Sequence, residues 1–215
     1  MERIIGIDLD TNIKRQLKNI RDIVYLVDAY ILGRLANKFG NKKLDTVDRL
    51  LEYVEKAGGG NHLEIGTLYG GSAIAVAILK EWLDQDGMIV CIDPLAGYYS
   101  KPEDISGVPV DAQTLFVNID RFQVGNRILV MQTYSQEVYY LDMQFSTAYI
   151  DGDHKNGTPL HDWNLVKDRV SRYVIFDNCS DQHPDVMEAC KIAKDDPEWE
   201  FAYYKGITYV VERIA

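Results

Sequence analysis

The spacing of hydrophobic positions divides the chain in two. Up to about residue 60 the apolar residues fall three and four apart. Ile13, Leu17, Ile20, Ile23, Val24, Val27 and Ile31 predict an amphipathic helix or helix pair from about Asn12 to Phe39, ended by Gly40-Asn41. Val47, Leu50, Leu51 and Val54 predict a further helix from Leu44 to Lys56, stopped by Gly58-Gly59-Gly60. These helices are expected to cover a sheet edge or form a homo-oligomer interface. They make residues 1–60 an N-terminal extension and residues 61–215 a single domain.

From His62 onward the period changes. Short β-type runs at His62–Ile65, Met88–Ile92, Ile128–Met131, Thr147–Ile150 and Tyr173–Phe176 alternate with helical stretches. Such alternation predicts parallel strands joined by right-handed crossovers, the doubly wound α/β class. Trp199–Tyr204 and Ile207–Val211, flanking Lys205-Gly206, predict an antiparallel hairpin at the far side of the sheet. The stretch from Ala96 to Pro109, with Tyr98, Tyr99, two prolines and two glycines, fits no regular element. A loop of that length is either a lid or substrate contact, or a plain surface connection.

Composition narrows the function classes. With 47% hydrophobic and 26% charged residues the chain reads as a soluble globular protein, and a formal net charge of −10 with no basic cluster argues against nucleic acid. Cys91, Cys179 and Cys190 are odd in number and lack metal-ligand spacing, which fits reduced thiols in the cytoplasm. Glu2, Arg3, Asp8 and Asp10 do not suit a signal peptide. The longest uncharged run, Ile65 to Leu79, falls short of the ~20 residues a bilayer span needs, so no membrane partner is expected.

The candidate chemistry begins at Leu63-Glu64-Ile65-Gly66-Thr67-Leu68-Tyr69-Gly70-Gly71-Ser72, which reads as strand, tight turn and helix. Glycine at 66 and 70 lets a ligand approach the backbone and the helix pack close to the strand. The motif departs from the dinucleotide pattern, because Leu68 replaces its middle glycine, and Glu64 suits a cationic ligand better than a pyrophosphate. In doubly wound folds ligands bind beyond the carboxyl ends of the strands. The polar residues there are Glu64, Asp93, Ser135 with Gln136, Asp151, and Asp177 with Asn178.

In that order these residues resemble a class I S-adenosylmethionine-dependent methyltransferase, and more narrowly the metal-dependent O-methyltransferases of the catechol and macrolide-sugar type. The resemblance spans roughly His62 to Ala215 and implies a Rossmann-like, mostly parallel seven-stranded sheet. It implies that LEIGTLYGGS, with Glu64, Gly66, Thr67, Gly70 and Ser72, wraps the methionine part of the cofactor. It implies that Asp93 takes the ribose hydroxyls, that Ser135 and Gln136 border the adenine, and that Asp151 borders the cofactor while sharing a metal with Asp177 and Asn178. Two carboxylates and an amide oxygen are hard ligands that leave octahedral positions for water and a chelating diol, as Mg²⁺ prefers. Each motif also has a plain structural reading as a strand-end turn or cap.

The base is expected at His154, three residues past Asp151, where catechol-type enzymes carry lysine and macrolide-sugar enzymes histidine; Lys155 is the alternative. His161 and His183 have weaker claims. The implied reaction is methyl transfer from S-adenosylmethionine to a hydroxyl of a small sugar, polyol or phenol. Two rivals remain, a protein of the same fold that binds cofactor without transferring methyl, and a nicotinamide-dependent oxidoreductase.

Overall fold

The computed structural model describes residues 42–101 and 108–214. The helices expected between Asn12 and Phe39 lie outside them. The first described helix, α1 (Lys42–Ala57), is followed by β1 (His62–Ile65), α2 (Gly71–Trp82), β2 (Ile89–Asp93), β3 (Ala96–Tyr98), β4 (Val110–Asp111) and α3 (Ala112–Arg121). Then come β5 (Ile128–Gln132), a 3₁₀ turn (Ser135–Glu137), β6 (Phe145–Ile150), α4 (Thr158–Val166), β7 (Val170–Phe176), α5 (Pro184–Asp195), β8 (Trp199–Lys205) and β9 (Thr208–Arg213).

Seven strands form one sheet in the order β5-β2-β1-β6-β7-β9-β8, parallel except for the final hairpin. The doubly wound expectation is met. β1 lies centrally, with Leu63 opposite Val90 on one side and Ala148 on the other, and all four of its residues are buried. That is why this run carries no exposed polar position: both faces are covered. Alternate residues feed two cores. Ile89, Cys91, Tyr149 and Ile175 pack with α1 and α2 through Leu50, Val54, Ile74 and Leu79. Leu63, Val90, Ala148 and Val174 pack on the opposite face with Trp163, Val186 and Cys190 of α4 and α5.

Several boundaries differ from the pattern-based reading, most by one or two residues. β6 and β7 start earlier, at Phe145 and Val170, because their backbones pair from Phe145↔Val170 onward although Ser171 and Arg172 are exposed and break the apolar run. The hairpin turn falls on Gly206-Ile207, one residue later than expected, because Lys205 still pairs with Thr208. The irregular stretch begins with β3, which pairs antiparallel with β4, just past its end, as a small separate sheet. No helix among the described residues is long and apolar enough to cross a membrane.

Candidate active site

The predicted strand-end residues follow the carboxyl ends of β5, β2, β1, β6 and β7, five neighbouring parallel strands. After β1 the backbone turns at Gly66 with φ +85, and its N–H donates to Ile92 O at 2.9 Å. A Cβ at Gly66 would lie 2.1 Å from Asp151 O, so the glycine loop and the end of β6 are in backbone contact. This close approach, rather than the turn alone, requires glycine. Glu64 is fully buried and accepts from Ser72 Oγ at 2.8 Å, tying the strand to the first turn of α2, whose N-cap is Gly70. Thr67 N–H and Leu68 N–H both donate to Asp93 Oδ2, at 2.8 and 3.2 Å. Two buried carboxylates, Glu64 and Asp93, thus flank the loop, an environment that favours a cationic group.

Asp93 has further partners. Leu95 N–H donates to Oδ1 at 2.8 Å, and the Tyr98 hydroxyl reaches both oxygens, Oδ1 at 3.1 Å and Oδ2 at 2.9 Å. Burial, followed by the charge and hydrogen bond of Asp93, raises the Tyr98 phenol far above its ordinary pKa, so it stays a donor. Beyond β5, Gln136 Nε2 donates to Thr158 Oγ1 at 2.8 Å, and His161 Nε2 lies 3.1 Å from Ser135 O, which anchors the Ser-Gln turn to α4. The His161 ring serves that anchorage.

Asp151, Asp177 and Asn178 come together. The Tyr149 hydroxyl lies 3.2 Å from Asp151 Oδ2 and 3.3 Å from Asp177 Oδ2, bridging the two carboxylates. Asn178, with φ +57, places Nδ2 3.3 Å from Asp151 Oδ1 and 3.1 Å from His154 Nε2, and its N–H donates to Asp177 Oδ1 at 2.8 Å. Asparagine adopts this left-handed backbone more readily than most residues. Thr46 Oγ1 of α1 donates to Asp177 Oδ1 at 3.0 Å and lies 2.7 Å from Thr208 Oγ1, fixing one carboxylate oxygen from the opposite side.

His154 Nε2 is 3.6 Å from Asp151 Oδ1. Burial works against its charged form, but the hydrogen bond and charge of Asp151, with Asp177 and Asp153, outweigh this and raise its pKa. The His183 ring packs edge-on against it at 4.6 Å between centroids. Lys155 is exposed.

The donor set suits a hard divalent cation in kind: two carboxylates and one amide, whose N and O ends exchange by a flip. The donors bridging the carboxylates sit at 3.2–3.3 Å, longer than the 2.8 Å bond fixing Asp177 Oδ1. Among the described residues no group of three or more His, Cys, Asp and Glu side chains forms a metal cage.

Three site residues escaped the sequence reading. Tyr149 stands two residues before Asp151 and therefore on the same strand face, a signal the alternation of β6 contained. Tyr98 lay in the stretch without period. Thr46 on α1 carried no local signal, since only the tertiary packing brings it 131 positions along the chain to Asp177.

No protein-family model matches the sequence, and no curated protein matches it. Solved structures do. The chain is similar to the O-methyltransferase NovP (16% identity, TM-score 0.71, covering 94% of this chain and 99% of that one). It is also similar to a Bacillus cereus O-methyltransferase in complex with SAH (16%, TM-score 0.59, 98% and 93%). A third is CalS11, a TDP-rhamnose 3'-O-methyltransferase of calicheamicin biosynthesis (14%, TM-score 0.57, 93% and 93%). The chain has the Rossmann-like methyltransferase fold.

Proposed function

We propose that the protein is an S-adenosylmethionine-dependent O-methyltransferase that methylates a hydroxyl of a small sugar, polyol or phenol, with a divalent cation assisting. The observation that carries this reading is the meeting of His154 Nε2, Asn178 and Asp151 at the end of β6, where the backbone also touches the glycine loop at Gly66. A cofactor group on that loop and an acceptor at the carboxylates would be neighbours, and proximity of this kind is a large part of methyl-transfer catalysis. The three solved structures named above are O-methyltransferases, one of them named for a nucleotide-linked sugar.

Each side chain then has a task. Glu64 and Asp93 supply negative potential to the loop, favouring a sulfonium over a pyrophosphate. Ser135 and Gln136 line the adenine end. Asp151, Asp177 and Asn178 would hold Mg²⁺, which supplies charge that lowers the acceptor hydroxyl's pKa. Tyr149 and Thr46 keep the two carboxylates in register before loading. His154 takes the proton from the acceptor hydroxyl, its imidazole held beside Asp151. S-adenosylmethionine brings the methyl already activated on sulfur.

The test is transfer of labelled methyl from S-adenosylmethionine to a panel of catechols, nucleotide sugars and polyols, with Mg²⁺ or with chelator. The expected result is labelling of one acceptor class that chelator abolishes and Mg²⁺ restores, and that Asp177→Ala lacks. Labelling of no panel member by protein that binds the cofactor would favour the binding-protein rival; labelling that survives chelator would remove the metal from the reading.

A further inference from the structure

Resting on the cofactor reading above, we propose that Tyr98 occupies the ribose subsite of the cofactor-free protein, and that cofactor binding exchanges its hydroxyl for a ribose hydroxyl on Asp93. A carboxylate offers about four lone-pair positions. Oδ2 of Asp93 already accepts from Thr67 N–H, Leu68 N–H and the Tyr98 hydroxyl, and Oδ1 from Leu95 N–H and the same hydroxyl. Asp93 is 2% exposed. The three backbone N–H groups leave about one position, which Tyr98 holds, so a ribose hydroxyl has an acceptor on Asp93 only once Tyr98 has left.

The donors differ in whether they can leave. The N–H groups of Thr67 and Leu68 belong to the glycine loop, and that of Leu95 sits two residues past Asp93 itself, so all three are fixed by the backbone. Tyr98 is only partly buried, and its hydroxyl is placed by side-chain torsions, not by the backbone. Its strand, β3, pairs with β4 alone, in a sheet separate from the seven-stranded one. Leu95 and Tyr99, on either side of Tyr98, have φ of +46 and +61, left-handed backbone that side-chain-bearing residues rarely adopt. The Tyr98 ring rests edge-on against Tyr99 at 4.9 Å. The phenol lies within hydrogen-bond distance of both carboxylate oxygens, a single donor shared between them. It keeps a buried carboxylate hydrogen-bonded until the ligand arrives, which avoids an unpaired buried charge before binding.

The exchange makes Tyr98 a competitor of the ribose, so removing its hydroxyl strengthens binding. Calorimetry with S-adenosylhomocysteine on Tyr98→Phe should read roughly a tenfold tighter Kd than wild type, since the ribose then displaces water instead of a charge-assisted hydrogen bond. Adenosine should gain similarly, and 2',3'-dideoxyadenosine should gain nothing. Tyr98→Leu should move in the same direction, and thermal melting without ligand checks that both variants are folded. Wild-type binding with equal or weaker affinity in folded Tyr98→Phe overturns the proposal and leaves the cofactor reading standing. An equal gain for dideoxyadenosine also overturns it, because the effect would then not involve the diol. Absence of S-adenosylhomocysteine binding by wild type overturns the cofactor reading and this proposal together.

Discussion

Replacing Gly66 by alanine should damage the molecule in a way that a matched glycine change does not. A Cβ at Gly66 would lie 2.1 Å from Asp151 O, 2.5 Å from Asp151 C and 2.7 Å from Gly152 Cα, all backbone atoms that cannot rotate away. Gly157 offers the control: its φ of +73 is close to the +85 of Gly66, but nothing lies within 4 Å of where its Cβ would stand. Both substitutions carry the left-handed penalty of about 1–2 kcal/mol. Only Gly66→Ala adds overpacking, about 1–3 kcal/mol for a forced shift of packed atoms. Urea denaturation of the two variants should therefore separate them by about 1–3 kcal/mol, read from midpoints at equal slopes. The shift would also part the glycine loop from Asp151, so Gly66→Ala should lose S-adenosylhomocysteine binding while Gly157→Ala keeps it. Equal stability of the two variants would refute the claim that loop and β6 are in backbone contact.

Two further outcomes follow from individual side chains. His154→Ala should lower methyl transfer by about 10²–10⁴-fold with cofactor affinity unchanged, whereas Lys155→Ala should stay active; the reverse result would move the base by one residue. His62 is fully buried, with Nδ1 2.7 Å from Thr147 Oγ1, and burial, then the charge of Lys80, lowers its pKa from 6.5 to about 3. Between those values the unfolded chain binds a proton that the folded one does not, so stability should fall by about 1.4 kcal/mol per pH unit as pH drops from 6.5 toward 3. Denaturation midpoints for wild type and His62→Gln across that window check it, and an unchanged slope in the variant would remove His62 as the cause.

The sheet was legible because burial on both faces leaves an unbroken apolar run, as at Ile89–Ile92, and because turn residues separate such runs. Boundaries were less so, since the β7 backbone pairs through exposed Ser171 and Arg172. At the site, strand-end position alone located Asp151, Asp177 and Asn178, which the fold then brings within reach of one another. What one sequence could not give is how acceptors are shared. Asp93 reads as an acidic strand end, but its oxygens serve three backbone N–H groups and Tyr98. Thr46 and Asp177 meet only through the packing of α1 across β6, β7 and β9.

The most direct measurement of the central claim is a calorimetric titration of the wild-type protein with S-adenosylhomocysteine and, separately, with NAD. The account predicts saturable binding of one S-adenosylhomocysteine per chain and no heat of binding with NAD, because Leu68 and buried Glu64 and Asp93 disfavour a pyrophosphate at the loop. Saturable binding of NAD with none of S-adenosylhomocysteine would contradict it.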